Sequence, residues 1–315
     1  MVAAVEPDIY IVVPNRNGRE LLRECIESVL KTTRDADIEI IVVDDNSDDD
    51  SVSMVEEQFP DVHLLRNDHR QGVAGSYNRG FRYALKNGAD YVLRLDNDMQ
   101  IQTNGWTTEL LAVLERDDTV GAVGCEVVFP DGTVHSKGRY FPFTTDEKYE
   151  YEYNRFQREE TPSGYRYVDD VGPSALYSRE VLEAAGLFDE RFSPYWGEES
   201  DLYVRIWDAG YRIAYTSNVT FIHDDHTHHE YAETDRDPKW EFLIQRNRIR
   251  FYLLNYPTAW AIDRTLTQVK GSATTVLKEP TSLLTATWIY LSLVLELSTL
   301  LVERRRRRSV KELLK

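Results

Sequence analysis

Two carboxylates, Asp96 and Asp98, stand one residue apart around Asn97, directly after the apolar run Tyr91-Val92-Leu93-Arg94-Leu95. A short β-rich run that ends in acids places them at the carboxyl edge of a sheet, where ligands of open α/β sheets bind. Hard oxygen ligands at that edge suit Mg²⁺ or Mn²⁺, and such ions bridge to substrate phosphates. Asp-x-Asp by itself also fits a solvated turn after a strand, so the reading depends on what else the chain brings to the same edge.

Several segments bring more. The first strand ends in Val12-Val13-Pro14-Asn15-Arg16-Asn17-Gly18 and the second in Val43-Asp44-Asp45-Asn46-Ser47. Asp44 and Asp45 can accept hydrogen bonds from a nucleobase imide or a ribose hydroxyl; the same residue types also cap helices. Gly72, Gly75 and Gly80 flank Asn78 near a helix start. Glycine lets a backbone approach a ligand and helix N-termini favour phosphate, although ordinary helix–sheet packing needs glycine too. Arg70 fits either a phosphate contact or a plain surface site. The run from Trp196 through Gly197, Glu198, Glu199, Ser200 and Asp201 to Arg205 offers three acids for proton transfer. Asp201 and Arg205 are spaced as an i,i+4 helix pair. Trp196 suits stacking on a sugar face or a core position. His223 closes a strand and is followed by Asp224, Asp225, His226, His228 and His229. A separate zinc site among these histidines is disfavoured, because a polar loop fixes ligands poorly.

In this order and spacing, and together with Gly186-Leu-Phe-Asp-Glu-Arg-Phe192, the motifs resemble the family 2 glycosyltransferases of GT-A fold, in particular their rhamnosyltransferase-like branch. The resemblance spans roughly residues 9 to 256. It implies an inverting, metal-dependent transfer of a hexosyl, deoxyhexosyl or hexuronosyl unit from a nucleotide-sugar to an acceptor hydroxyl. By resemblance Asp45 contacts the base, and Pro14, Asn15, Asp44, Gly72, Asn78, Asp96 and Trp196 belong with it to the nucleotide-sugar site. Asp98 binds Mg²⁺ or Mn²⁺ directly, Asp96 reaches the nucleoside or the metal's water, and His223 helps hold the metal or diphosphate. The family usually shows Glu-Asp-x-Asp with its second acid as general base. Here Glu199 holds that place, one methylene longer, and Glu198 and Asp201 are the alternatives. Two rivals remain: a sugar-nucleotide pyrophosphorylase, whose glycine-rich triphosphate loop is missing after the first strand, and a non-catalytic sugar-nucleotide-binding scaffold, which the Glu at 199 favours. The lack of Gly-x-Gly-x-x-Gly after that strand argues against a dehydrogenase.

The elements that must carry these residues read as alternating strands and helices. Strands are expected at Ile9–Val13, Ile38–Val43, Val62–Leu65, Tyr91–Leu95, Gly121–Phe129 and Tyr211–Ile222. Helices are expected at Glu20–Lys31, Val52–Gln58, Ala74–Lys86 and Thr107–Glu115. Repeated βα units imply an α/β fold, a Rossmann-like, mostly parallel sheet with helices on both faces. Thr144–Tyr167, rich in Tyr, Glu and Arg, reads as an insertion. The expected division is a GT-A domain over 1–256 and a helical, membrane-associating appendage over 257–315.

Charge and composition narrow the setting. At 315 residues and 42% hydrophobic content the chain builds a large core, and its net charge of -17 argues against nucleic-acid binding. The last fifteen residues run the other way, with seven Lys/Arg against two Glu. An acidic body of this kind suits the salt-rich cytoplasm of a halophilic archaeon. Cys25 and Cys125 have no metal spacing and fit a reducing cytosol, and no signal peptide is expected. Ser282–Val302 is apolar over about 20 residues, with Thr285, Ser292, Glu296, Thr299 and Glu303 forming one polar stripe. Arg304–Arg308 follow at once, which opposes a single span by the positive-inside rule. The expectation is a helix peripheral to the cytoplasmic face of the cell membrane, held by anionic lipid and serving a lipid-linked saccharide acceptor in N-glycan or surface-polysaccharide assembly. Packing on a second subunit, as a homodimer, is the alternative.

Overall fold

The structure, a computed structural model, describes residues 7–34, 36–140, 164–193, 196–224 and 238–306. Its centre is one sheet built from β1 (Ile9–Asn15), β2 (Ile38–Asp44), β3 (His63–Arg66), β4 (Tyr91–Arg94), β5 (Met99–Ile101), β6 (Val120–Val128), β7 (Val134–Ser136), β8 (Tyr165–Val168), β9 (Ala175–Ser178) and β10 (Arg212–His223). The strand order is β3-β2-β1-β4-β9-β6-β10-β5, with β7 on β6 and β8 on β10. Strands β3, β2, β1 and β4 run parallel. β1 and β2 are near-continuous aliphatic runs because both of their faces are covered. Val12, Ile41 and Val43 point into one core, and Ile11, Val13, Ile40 and Val42 into the other.

Helices α1 (Arg19–Thr32), α2 (Ser51–Gln58) and α4 (Trp106–Arg116) cover the second face through Leu22, Cys25, Met54 and Leu110. Helix α3 (Gly72–Lys86), α5 (Arg179–Ala185) and α6 (Glu198–Asp208) cover the first through Tyr77, Phe81, Leu182 and Leu202. Helix α3 lies so close to β1 that a Cβ at Gly80 would stand 2.2 Å from Val12 Cγ1. That contact brings the start of α3 to the strand ends.

The α/β fold with a C-terminal helical region is as expected, and the strand order adds a detail. β9 enters antiparallel between β4 and β6, so the second half of the sheet is mixed. Four residues behind Gly172-Pro173 are too short a run to stand out in the sequence. Residues 165–167, expected in the insertion, form β8 against β10; the stretch 144–163 lies outside the described residues.

Three helices complete the chain: α7 (Pro238–Asn255), α8 (Thr258–Lys278) and α9 (Leu283–Arg306). α8 and α9 both pack along α7. α7 is pinned to the sheet domain by Asn247 Nδ2 donating to Phe192 O at 2.5 Å and Asn255 Nδ2 donating to Asp201 Oδ1 at 2.9 Å. The polar stripe of α9 turns inward. Glu296 pairs with Arg250 of α7, and Glu303 stands 2.5 Å from Arg191. Thr299 is the member of the stripe that stays exposed. Leu284 (82% exposed), Trp288 (69%) and Leu295 (70%) face out. Pro280–Arg304 is long and apolar enough to cross a membrane. Arg304 departs from the expected lipid-facing run: it is buried and donates to Leu253 O and Tyr256 O, closing the carbonyl end of α7.

Candidate active site

β4 ends at Arg94, and the turn Leu95–Asp98 carries the chain into β5. β5 pairs antiparallel with the end of β10, with His223 opposite Met99. That register sets His223 beside Asp98, and Asp224 N donates to Asp98 O at 2.8 Å to close the corner. Asp96, Asp98 and His223 each offer a ligand atom within 4.8 Å of the others. Asp98 Oδ1 stands 3.2 Å from His223 Nε2, yet this buried oxygen takes part in no hydrogen bond. A buried carboxylate oxygen without a hydrogen bond, close to an imidazole nitrogen and a second carboxylate, is what a cation site offers, and the oxygen/imidazole set suits Mn²⁺ or Mg²⁺. Asp96 is oriented by the Tyr77 hydroxyl, which donates to its Oδ1. Burial pushes the Asp96 carboxyl up; Arg94 pulls it down and the Asp98 charge adds to the rise. A bound cation would reverse that rise.

Arg94 is the residue that the motifs did not announce. It is 4% exposed in the middle of the site, with its guanidinium over the rings of Tyr77 (5.0 Å) and Phe188 (5.5 Å). One side meets the Glu199 carboxylate; on the other, Nη2 is 3.7 Å from Asp96 Oδ1. Burial works against its charge, but Glu199 and Asp96 hold its proton on. Arg139 Nη2, 3.9 Å from Glu199 Oε1, adds a second cation. Burial pushes Glu199 up, and Arg94 and Arg139 outweigh it, so its carboxyl lies below the ordinary Glu value. Glu199 is therefore an anion throughout the neutral range. The visible signal for Arg94 was a charge inside an apolar strand, because a buried guanidinium requires a carboxylate partner. Asp170, after β8, was missed as well. It accepts from Arg139 Nη2 (2.8 Å), Gly172 N (2.7 Å) and Ser200 Oγ (2.8 Å), and so orients the neighbours of Glu199.

The other two acids of the α6 run differ from Glu199. Glu198 is buried with one carboxylate oxygen unpartnered; burial, then the Glu199 charge, pushes it up to about 7. Asp201 is wholly buried, accepting from Arg205 Nε at 2.9 Å and from Asn255 Nδ2 at 2.9 Å. It is the i,i+4 helix pair that the spacing suggested, and it ties α6 to α7. Just before α6, Trp196 has φ +82, a left-handed backbone that a bulky residue adopts at a cost. Its ring packs edge-on against Phe251 and under Arg248.

On the nucleotide side the geometry divides the residues. Asp45 spends both oxygens on the protein: Asn67 Nδ2 (2.8 Å) and Gln71 N (2.7 Å) donate to Oδ1, and Gly72 N (2.9 Å) to Oδ2. It anchors the start of α3, where Gly72 has φ +76. Asp44 accepts from Ser47 N at 3.1 Å through Oδ2, and its Oδ1 is buried with no hydrogen bond. Asp44 thus keeps an acceptor in hand. Asn15 accepts from Asn97 Nδ2 at 2.8 Å, joining the end of β1 to the acidic turn. A Cβ at Gly18 would stand 2.3 Å from that same Asn97 amide. Pro14 precedes Asn15 on β1, in register with Val43. Asn78 is not brought to the edge. Its Nδ2 donates to Phe188 O and Glu190 Oε1, and its Oδ1 accepts from Phe188 N, all within 2.9 Å. It is a clasp between α3 and the segment before α6. His226, His228 and His229 lie outside the described residues.

Known proteins match this architecture. The sequence model described as Glycosyl transferase family 2 matches residues 10–186. The O-antigen biosynthesis protein RfbC of Myxococcus xanthus is 29% identical over 226 residues, 70% of this chain and 17% of that protein. The N-acetylglucosaminyl-diphospho-decaprenol L-rhamnosyltransferase of Mycobacterium tuberculosis is 23% identical over 249 residues, 71% of this chain and 76% of its own length. The chain spans about a third or less of the first three relatives it matches. Among solved structures, the mannosyltransferase PcManGT of Pyrobaculum calidifontis with GDP-Man and Mn²⁺ superposes with a TM-score of 0.53 at 18% identity, covering 96% of this chain and 85% of that one. GalNAc-T7 with UDP, GalNAc and Mn²⁺ gives 0.56 at 15%, covering 79% and 51%. At these identities the likeness is one of fold.

Proposed function

The chain belongs to glycosyl transferase family 2, and from that membership we propose an inverting, metal-dependent transfer of a sugar from a nucleotide-sugar to an acceptor hydroxyl. The observation that carries the proposal is the convergence of Asp96, Asp98 and His223 beside an ionised Glu199 held by Arg94. Asp98, Asp96 and His223 would hold the divalent ion, which supplies neutralising charge for the leaving nucleoside diphosphate. Asp44, with its spare buried oxygen, is the acceptor for a base imide or ribose hydroxyl. Pro14, Asn15 and Gly72 shape the floor of that subsite, Asp45 fixes Gly72, and Trp196 borders the sugar. Glu199 takes the proton of the acceptor hydroxyl. The acceptor oxygen bonds to the anomeric carbon as the carbon–oxygen bond to the diphosphate breaks on the opposite face, so configuration inverts. Asp201, its oxygens committed to Arg205 and Asn255, positions α6.

The acceptor reading rests on the other end of the chain. Large apolar residues are exposed on both tail helices, Ile262, Leu266 and Val269 on α8 and Leu284, Trp288 and Leu295 on α9. This supports a peripheral seat on an anionic membrane, on the cytoplasmic face, and a lipid-linked saccharide acceptor. The relative named for rhamnosyl transfer to a diphospho-decaprenol sugar agrees with that reading. In this reading the transferase unit ends at 256 and the tail begins at 257, with α7 as the bridge. The acidic chain, net -17 over its full length, accords with a salt-rich cytoplasm. The ion pair that occupies Glu199 also fits a second reading, a binding scaffold without turnover.

A thermal-shift screen of nucleotide-sugars with and without Mn²⁺ tests the proposal, because a ligand that binds the native state raises its stability. Stabilisation by one donor only with metal, followed by slow metal-dependent release of nucleoside diphosphate, is the expected result. Stabilisation without release identifies the scaffold.

A further inference from the structure

The segment that leads toward Glu199 is tied to the middle of α7 by three side chains. Arg250 Nη1 donates to Arg191 O, Asn247 Nδ2 to Phe192 O at 2.5 Å, and Arg246 Nη2 to Ser193 O at 2.7 Å. Three successive carbonyls are thus answered from one stretch of helix. Past them, Trp196 and Gly197 both have left-handed backbones, φ +82 and φ +100. A Cβ on Gly197 would stand 2.9 Å from Cδ1 of the anchored Phe192 ring. A bulky residue keeps such a conformation only where its surroundings over-determine it, and strain of this kind gathers at ligand sites.

Arg248 belongs to the same stretch of α7 but holds no carbonyl. Its guanidinium stands over the Trp196 ring, 5.2 Å from the centroid. Among the described residues none of its N–H groups meets an acceptor and no carboxylate pairs with it, although it is partly buried. An arginine carries five donors in a fixed fork. Laid over an aromatic ring, that fork keeps its edges for a bidentate anion. One turn on, the Tyr252 hydroxyl is also without a hydrogen bond among the described residues. Burial raises that phenol, and Arg248 and then Arg264 of α8 lower it, so two cations act on one oxygen. Arg264 has Asp263 Oδ2 3.8 Å from its Nε; Arg248 has no such neighbour. In a chain of net charge -17, a held cation without a counter-charge is a place for an anion from outside. Trp196 precedes Glu199 by three residues, so their Cα atoms are at most about 11 Å apart. One small molecule can therefore reach both Glu199 and the guanidinium.

We propose that Arg248, seated on Trp196 and joined by the Tyr252 hydroxyl, binds an anionic group of the acceptor, a phosphate carried by the sugar whose hydroxyl Glu199 deprotonates. The assignment rests on the transferase reading above, and it adds the charge of the acceptor and the residue that reads it. The ring fixes the guanidinium before the acceptor arrives, so little is lost in ordering it on binding.

Ligand-observed NMR titration of the full chain tests it. The probes are the 1-phosphates of glucose, galactose, mannose and N-acetylglucosamine, each beside its free sugar and inorganic phosphate. At least one sugar phosphate should bind about tenfold or more tightly than both of its controls. Arg248→Met keeps an unbranched stem over the ring and drops the charge; it should weaken that binding about tenfold and leave the free sugar unaffected. Arg248→Lys should recover part of the loss, because a point charge lacks the fork. Tyr252→Phe, which removes only a hydroxyl, should weaken sugar phosphate binding about threefold or more at an unchanged melting temperature, and so keeps the test open should Arg248→Met fold poorly. Mn²⁺-dependent binding of UDP, GDP or dTDP is read separately and should be unchanged in these variants. Equal affinity for a sugar phosphate and its free sugar, or for inorganic phosphate, overturns the proposal. So does a preference that survives both Arg248→Met and Tyr252→Phe, or loss of nucleoside diphosphate binding in Arg248→Met, which would assign the cation to the donor. Failure of every nucleoside diphosphate to bind the wild type with Mn²⁺ would instead undo the transferase reading and leave the sugar phosphate result standing by itself.

Discussion

Arg94 and Glu199 lie 105 residues apart and meet as a buried ion pair at the centre of the site. The pair couples the end of β4, with its metal-binding acids, to the first turn of α6. It also sets the protonation of Glu199, since a nearby cation favours the charged form of a carboxyl.

Replacing Arg94 with Met should therefore do two things. The Glu199 carboxyl, left with its burial and the more distant Arg139, should rise, and the acid limb of the kcat/KM profile should move up with it. Turnover at neutral pH should fall about 10- to 100-fold, because a buried partner is left unpaired. Arg94→Lys should restore the charge and the limb while recovering rate only in part, since a point charge does not reproduce the planar fork. A pH–rate profile unmoved in Arg94→Met would separate Arg94 from the base.

Metal dependence follows from the triad. Asp98→Ala and His223→Ala should abolish Mn²⁺-dependent nucleoside diphosphate binding, with little change in melting temperature for Asp98→Ala. EDTA should silence the wild type and added Mn²⁺ should restore it. Full activity in EDTA would remove the metal from the account.

Glu198 gives a stability signature. Its folded value of about 7 lies above the ordinary 4.5. Such a group favours the folded state below about pH 4.5, and that contribution is lost as pH rises through 7. The shift is worth roughly 3 kcal/mol at its upper bound. Glu198→Gln should therefore be more stable than wild type at pH 8 and show a flatter decline between pH 5 and 8. Parallel stability curves for the two proteins would refute the assignment.

The tail should act through its outer face. Leu284→Glu/Leu295→Glu, both on exposed positions, should release the protein from anionic liposomes while leaving its fold and soluble-acceptor turnover intact. The variant should slow transfer to a lipid-linked acceptor. Liposome binding that persists would reject the membrane seat. A change from dimer to monomer would assign the same face to a second subunit.

Much of this was legible in the sequence, for physical reasons that also explain what was not. The continuous apolar runs of β1 and β2 and the acidic turn after β4 are local patterns, and local patterns survive in one dimension. The pairings that turn Asp45, Asn78 and Asp201 into braces depend on partners at Gly72, Phe188 and Asn255, which no spacing rule links. β9 was too short to read. Arg94 was visible as a charge within an apolar strand, but its carboxylate partner was not. The tail's polar stripe is visible in its spacing. That it faces α7 and leaves the apolar side outward depends on Arg250 and Arg191, which lie far from it in sequence.

The central claim is that Glu199 is the base. The most direct measurement is kcat for nucleoside diphosphate release by Glu199→Gln, beside donor affinity in Mn²⁺. The account predicts a fall of roughly 10²–10⁴-fold, the usual contribution of a positioned base, with donor affinity nearly unchanged. Wild-type kcat in Glu199→Gln, with Asp201→Asn or Glu198→Gln folded but inactive, would contradict it.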